Sequence, residues 1–182
     1  LYYGISGMGA VCHTVNPRLF VDQIVYIINH AEDRFIFFDS SFVDLVKQLM
    51  PRCPTVESWI YLGDTAEAQG AGINGLPAYE ALLAGRPESF DWPQLDENTA
   101  SGLCYTSGTT GNPKGVLYSH RSTIIHCYAS SMPDALNISA RDVILPVVPM
   151  FHVNAWGLPY CAAMVGAMMV FPGAGLDGAS VF

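Results

Sequence analysis

Charge is what this sequence has least of. Asp, Glu, Lys and Arg make up 13% of its 182 residues, about half of the roughly 25% usual in a globular domain. A small domain standing alone needs more charge to cover its surface, so the inner portion of something larger is expected. The ends agree, since the chain begins at Leu1 and stops at Ser180-Val181-Phe182 just as an apolar pattern starts. The charge that is present is mostly negative: 16 Asp and Glu against 8 Lys and Arg, for a net charge of −8. The basic residues are scattered, with no cluster. Such a chain repels nucleic acid and anionic membranes. A small nucleotide gripped locally is the exception.

Paired cysteines are also lacking. Cys12, Cys53, Cys104, Cys127 and Cys161 are odd in number and widely spaced, with no CxxC pair. This argues against a disulfide framework or a zinc site and for buried small hydrophobes in a reducing cytosol. A third absence looks at first like a membrane span: residues 143–176 contain no Lys, Arg, Asp or Glu. Pro146, Pro149, Pro159 and Pro172, together with Gly157, Gly166 and Gly173, break the run, and His152 and Asn154 are costly in lipid. Strand, helix and strand are expected instead, and no transmembrane span.

What the sequence does have is alternation. Phe20, Ile24, Ile27, Ile28 and Ala31 fall on one helical face, then RFIFF (34–38) is a short apolar run of strand length. Phe42, Leu45, Val46 and Leu49 repeat the helical face up to Pro51, and 56–62 reads as the next strand. Residues 63–98 form a surface excursion rich in Gly, Pro, Ala and acid, with one short helix at 78–84. A strand at 102–105, a helix from the N-cap Ser119 to about Ser131, a strand at 143–148, a helix at 154–165 and a strand at 167–171 complete the pass. VILPVV and AMMVF are unbroken apolar runs, as strands buried on both faces should be. The fold expected is α/β: a doubly wound, mostly parallel sheet with helices on both faces.

One loop stands out: LCYTSGTTGNPKGVLYSH, residues 103–120. It follows a strand, where open parallel sheets collect ligands. Glycines let backbone amides approach an anion, Ser and Thr add hydroxyl donors, and Lys114 adds a mobile positive charge. It is not a Walker A loop, because that pattern, GxxxxGK followed by Ser or Thr, fails from Gly108 and from Gly111 alike. A flexible linker would have the same composition, but a linker is more often flanked by polar sequence than by apolar segments.

YTSGTTGNPKG resembles the signature loop of the adenylate-forming superfamily, which includes acyl-CoA synthetases, luciferases and peptide-synthetase adenylation domains. The resemblance implies that Thr106, Ser107, Gly108, Thr109, Thr110, Gly111 and Lys114 hold the outer phosphates of ATP. It also implies that Thr106 helps to hold Mg²⁺ and that Lys114 assists pyrophosphate departure.

A second stretch, PMFHVNAW (149–156), follows the 143–148 strand. Read alone, His152 among apolar residues is more often a satisfied core group, and Trp156 can be a plain core aromatic. The stretch is similar to the family's next motif, in which a Phe-His pair closes over the carboxylate to be activated. HVNAWGLPY is similar to the fatty-acyl-CoA synthetase branch, where the tryptophan gates an acyl tunnel. By that resemblance His152, Val153, Asn154 and Trp156 bind the acid, with Lys114 and His152 catalytic. GISGMGAVCHTVNPRLFVDQIVYIINHAED (4–33) also looks like that branch, as a helix, strand and helix. His13, Asn16, Arg18, His30, His120 and His126 are read as structural.

The resemblance covers nearly the whole chain and implies part of the large N-terminal AMP-binding domain. Residues 1–98 would be its first βα units, with the excursion at 63–98, and residues 99–182 its phosphate loop and acyl-site segment. The implied reaction joins a carboxylate to ATP, releases pyrophosphate and passes the acyl-adenylate to coenzyme A. The family's adenine, ribose, magnesium-glutamate and C-terminal lysine motifs are expected beyond Phe182, so this chain alone should not complete a turnover. The expected setting is the cytoplasm, with peripheral membrane association allowed, and related ligases include homodimers. Two alternatives stand beside a fatty-acid–CoA ligase: a ligase for an aryl or methylthio-alkanoic acid, and a non-catalytic phosphate-binding scaffold.

Overall fold

The computed structural model describes residues 1–106, 111–171, 173 and 177–181. In chain order, its elements begin with α1 (Tyr2–Gly7), β1 (Cys12–His13), α2 (Val21–His30), β2 (Phe35–Phe38), α3 (Val43–Leu49) and β3 (Ser58–Tyr61). There follow α4 (Thr65–Gly70), α5 (Tyr79–Leu83), β4 (Ala100–Thr106), β5 (Lys114–Ser119) and α6 (His120–Ser131). The last are β6 (Val143–Ile144), the one-turn α7 (Val153–Trp156), α8 (Leu158–Val165), β7 (Met168–Met169) and α9 (Gly178–Val181). The chain is α/β, and β1–β4, β2–β3 and β6–β7 are parallel while β4–β5 is antiparallel. These residues divide into two compact units.

One unit holds Val15–Asp91 and Ser107–Pro113. Its core forms where the periodicity of α2 and α3 meets β2 and β3: Ile24, Ile28, Val43, Val46 and Leu49 pack with Phe38, Trp59 and Tyr61. Phe20 was expected on the buried face of α2 but is 81% exposed. It sits at the N-cap, before the helical wheel begins, and its backbone N–H donates to the Gln23 side chain. The paired strands are tied where they start, with Arg34 donating two hydrogen bonds to Glu57 at 2.6 and 3.0 Å. Pro51 ends α3 in a 3₁₀ turn, as expected. Within 63–98 the short helix is present as α5, and α4 is an addition. Asp64 accepts from the Glu67 N–H while the Glu67 carboxylate accepts from the Asp64 N–H, a reciprocal capping box.

The other unit holds Leu1–Thr14, Trp92–Thr106 and Lys114–Phe182. Here β4 is central, with β1 on one edge and β5 on the other. The strand expected at 102–105 is longer by two residues at the start and one at the end. β5 was not expected, since the sequence places Lys114 in a loop. Val116, Leu117 and Tyr118 favour extended backbone, and Lys114 is the first residue of the returning hairpin strand. Ser119 caps α6 as expected, accepting from the Ser122 N–H at 3.1 Å. α6 and α8 pack through Cys127 and Cys161, both fully buried, over Ile138. All five cysteines are free and buried.

The charge-free run divides into strand, turn, helix and strand. The strands at 143–148 and 167–171 are shorter than expected. The β6 ladder stops two residues before Pro146, whose missing N–H cannot continue it. The helix expected at 154–165 begins only at Leu158, with Pro159 in its first turn. Among the described residues no helix is long and apolar enough to cross a membrane.

Candidate active site

The register of the β4–β5 hairpin decides which residues share a face. Thr106 pairs with Lys114, Cys104 with Val116, and Gly102 with Tyr118. Residues directly opposite in a ladder project to the same side, and alternate residues along a strand do likewise. Thr106, Lys114, Cys104 and Gly102 therefore share one face. Tyr105 and Gly115 take the other, where the Tyr105 ring lies 5.3 Å from that of His13.

The segment containing His152 lies against the first of these faces. Asn154, 7% exposed, accepts a hydrogen bond at its Oδ1 from the Cys104 thiol at 3.3 Å. Lys114 and Thr106 thus stand on the side of the hairpin to which the His152 segment is tied. Both are exposed, and the Thr106 hydroxyl donates to the Lys114 carbonyl at 3.4 Å.

α7 has an unusual backbone. Val153, Asn154, Ala155 and Trp156 have φ between 50° and 57°, and Gly157 follows at 72°. Five consecutive residues are left-handed, which costs about 1–2 kcal/mol for each residue with a Cβ and most for the β-branched Val153. Asn and Gly suit that region; Val, Ala and Trp do not. The surroundings must hold the turn, and two contacts do so. Asn154 is bound to β4, and the Trp156 carbonyl accepts from His126 Nε2 of α6 at 2.9 Å. A carbonyl can only accept, so the His126 Nε2 carries the proton. Ser130 Oγ lies 3.2 Å from the same nitrogen.

The effect is to present side chains. His152 is exposed immediately before the turn, Val153 is 41% exposed and Trp156 51% exposed, so neither His152 nor Trp156 is a core residue. Trp156 borders an apolar pocket of about 270 Å³ whose other walls include Leu136, Ile138, Ile144, Val148 and Leu158. Gly111 has φ 91°, a conformation that favours glycine. Ser107, Gly108, Thr109 and Thr110 lie outside the described residues. His126, read as structural from sequence, proves to be the residue that holds the Trp156 backbone, and Cys104 the one that holds Asn154. Neither partner could be found by motif, because each lies in an element remote in sequence from the turn.

Residues 1–181 match the family model described as AMP-binding enzyme. The chain belongs to the AMP-binding enzyme family. It is 59% identical over 98% of its length to the 3-methylmercaptopropionyl-CoA ligase of Ruegeria pomeroyi, of which it covers 33%. It is 56% identical to the medium-chain-fatty-acid–CoA ligase of Ectopseudomonas oleovorans over its whole length, again covering 33%. The chain thus spans about a third of the length of these curated relatives of the AMP-binding family. In fold, it superposes on anthranilate CoA ligase AuaEII in complex with anthranoyl-AMP, with a TM-score of 0.80, 21% identity, 99% of this chain and 34% of that one covered. The N-terminal domain of FACL13 from Mycobacterium tuberculosis gives a TM-score of 0.75 at 25% identity, covering 100% of this chain and 42% of that one.

Proposed function

We propose that this chain is the phosphate-loop and acid-site portion of an ATP-dependent fatty-acid–CoA ligase. In the reaction proposed, the oxygen of a carboxylate attacks the α-phosphorus of ATP and pyrophosphate leaves. The thiol of coenzyme A then displaces AMP from the acyl-adenylate. The observation that carries this reading is the shared face of the hairpin, with Thr106 and Lys114 at its end and the His152 turn bound to it through Cys104. Displacement at phosphorus needs charge neutralised on the leaving pyrophosphate and the acid held close by in a fixed orientation. Lys114 supplies a cation for the first need. His152 supplies a hydrogen-bond donor to the acid's oxygen for the second.

Magnesium fits modestly. Thr106 offers one exposed hydroxyl, and among the described residues no cluster of three His, Cys, Asp or Glu could hold a metal alone. That matches an ion held mainly by nucleotide phosphates and water, which would neutralise the phosphate charge. The pocket beside Trp156 supports an acid with an apolar tail. The free cysteines support a cytoplasmic setting.

A methylthio-alkanoic acid is the second reading, favoured by the 59% identity to the Ruegeria pomeroyi enzyme. The test is acid-dependent ATP–pyrophosphate exchange by the protein at the full length of its relatives. Octanoate, 3-methylthiopropionate and benzoate are offered in turn. Octanoate should give the highest kcat/KM, and preference for 3-methylthiopropionate would install the second reading. Exchange with none of the acids would refute both.

A further inference from the structure

We propose that Asn154 is a positioning residue: through the Cys104 thiol it fixes the distance between His152 and the Thr106–Lys114 end of the hairpin. This rests on the ligase reading, and it gives Asn154, which the motif resemblance implied to bind the acid, a role behind the turn, where its side chain is buried against Cys104. Asn154 carries the only side chain of the turn's left-handed residues that is both polar and buried, and its Oδ1 is engaged by Cys104 at 3.3 Å.

Cys104 is itself held from the other side. Its sulfur lies 3.4 Å from Thr14 Oγ1, just past β1. The single thiol hydrogen serves Asn154, so the Thr14 hydroxyl donates to the sulfur. A polar chain, buried at Cys104 and Asn154 and half-buried at Thr14, therefore runs from Thr14 through Cys104 to Asn154, crossing the strand two residues before Thr106. The His152 imidazole makes no hydrogen bond of its own among the described residues. Its place is set by its backbone, whose N–H donates to the Pro149 carbonyl at 2.9 Å and whose carbonyl accepts from the Ala155 N–H at 3.0 Å. What holds Asn154 therefore holds His152.

A left-handed backbone alone is sufficient reason for an asparagine, and the two explanations separate cleanly. If backbone conformation is the whole role of Asn154, glycine is an equal or better replacement. If the side chain is a tether, glycine keeps the backbone and loses the position. A displacement of about 1 Å is enough to cost on the order of a hundredfold in rate.

The experiment uses the protein at the full length of its relatives, assayed by acid-dependent ATP–pyrophosphate exchange, with N154G, C104A, C104S and the double variant N154G/C104A. N154G is expected to lower kcat by about ten- to a hundredfold, with KM for ATP within about twofold of the parent. C104A should show a similar loss, while C104S, which keeps a donor, restores most of it. The double variant should be no worse than the worse single one, since both remove one contact. Amide hydrogen exchange of the peptide covering 150–158 is read in parallel, with faster exchange in N154G and C104A and none in C104S. A parental kcat in N154G, or losses in the two single variants that multiply, would overturn the proposal. Should the parent protein show no pyrophosphate exchange, the ligase reading fails by itself. The peptide measurement then decides the tether: faster exchange in N154G upholds it and unchanged exchange overturns it.

Discussion

Thr106 and Lys114 face each other as the last pair of the β4–β5 ladder, with the Thr106 hydroxyl donating to the Lys114 carbonyl. This places the lysine on a strand rather than on a free loop. Its Cα is fixed by the ladder while its flexible four-carbon stem is exposed. Thr106 and Lys114, the residues proposed to meet phosphate, consequently stand together at one end of the hairpin.

Replacement of Lys114 by methionine keeps the stem and removes the charge. In the full-length protein, kcat for acid-dependent pyrophosphate exchange should fall by about a hundredfold or more. The melting temperature should hardly move, because an exposed site of this kind contributes within about 0.5 kcal/mol. Thr106→Val should cost less, and chelation by EDTA should abolish exchange in both variants and the parent. Unchanged exchange in K114M would remove the lysine from the reaction.

A second prediction concerns the glycine that closes the left-handed turn. A Cβ on Gly157 would lie 2.6 Å from His126 Cδ2, the ring that holds the Trp156 carbonyl, and φ there is 72°. A Cβ on Gly166, at φ 81°, would meet only the Ala140 methyl within 4 Å among the described residues, at 3.8 Å. G166A should therefore cost about 1–2 kcal/mol of stability from conformation alone. G157A should cost more and also displace Trp156. Thermal melts of the two variants should separate them, with exchange activity depressed in G157A only. Equal melting temperatures would mean that the His126 ring yields freely.

Much of this was legible in the sequence, and the failures have identifiable causes. Runs such as RFIFF, and the periodicities of α2 and α3, specify strand and helix because burial on one or both faces demands them. The hydroxyl-rich loop and PMFHVNAW marked the candidate site without any structure. β5 was hidden because the glycine-proline chemistry before it reads as loop and the strand is largely exposed, so no apolar alternation announces it. α4 was missed although Asp64-Thr65-Ala66-Glu67 carries a capping box, because its surroundings are compositionally loop-like. The left-handed turn was read as a regular helix, since propensity does not register contacts with residues elsewhere in the chain. His126 and Cys104 make those contacts.

The buried thiols make a pH prediction. Burial pushes the Cys127 thiol up from its ordinary 9.0 to about 12, with the neighbouring Cys161 adding to the effect. Burial likewise pushes Cys12 up to about 11. A raised pKa in the folded state means that the unfolded chain loses these protons first. Their contribution is complete below pH 9 and is lost as pH rises through about 11–12. Denaturant midpoints should be flat from pH 7 to 8.5 and decline above pH 9. C127A should flatten that decline while lowering stability at pH 7, where the trimmed side chain leaves a small void. A midpoint independent of pH up to 11 would contradict the burial of these groups.

Trp156 supplies the last test, which also separates the two acids proposed. Its ring is half exposed and forms one wall of the 270 Å³ pocket, so truncation should spare folding and alter selectivity. An acid with a long apolar tail gains contact with the indole at each methylene, and each such contact is worth about 1 kcal/mol when fully buried. A short methylthio acid reaches less of that wall. W156A should therefore raise KM for octanoate by about tenfold while changing KM for 3-methylthiopropionate by about threefold or less. KM for ATP should be unaffected, because Thr106 and Lys114, the residues proposed to meet phosphate, lie on the hairpin rather than in this pocket. W156F should fall between the parent and W156A for octanoate. If both acids lose affinity equally, Trp156 is not reading the tail, and its exposed ring serves the turn rather than the pocket.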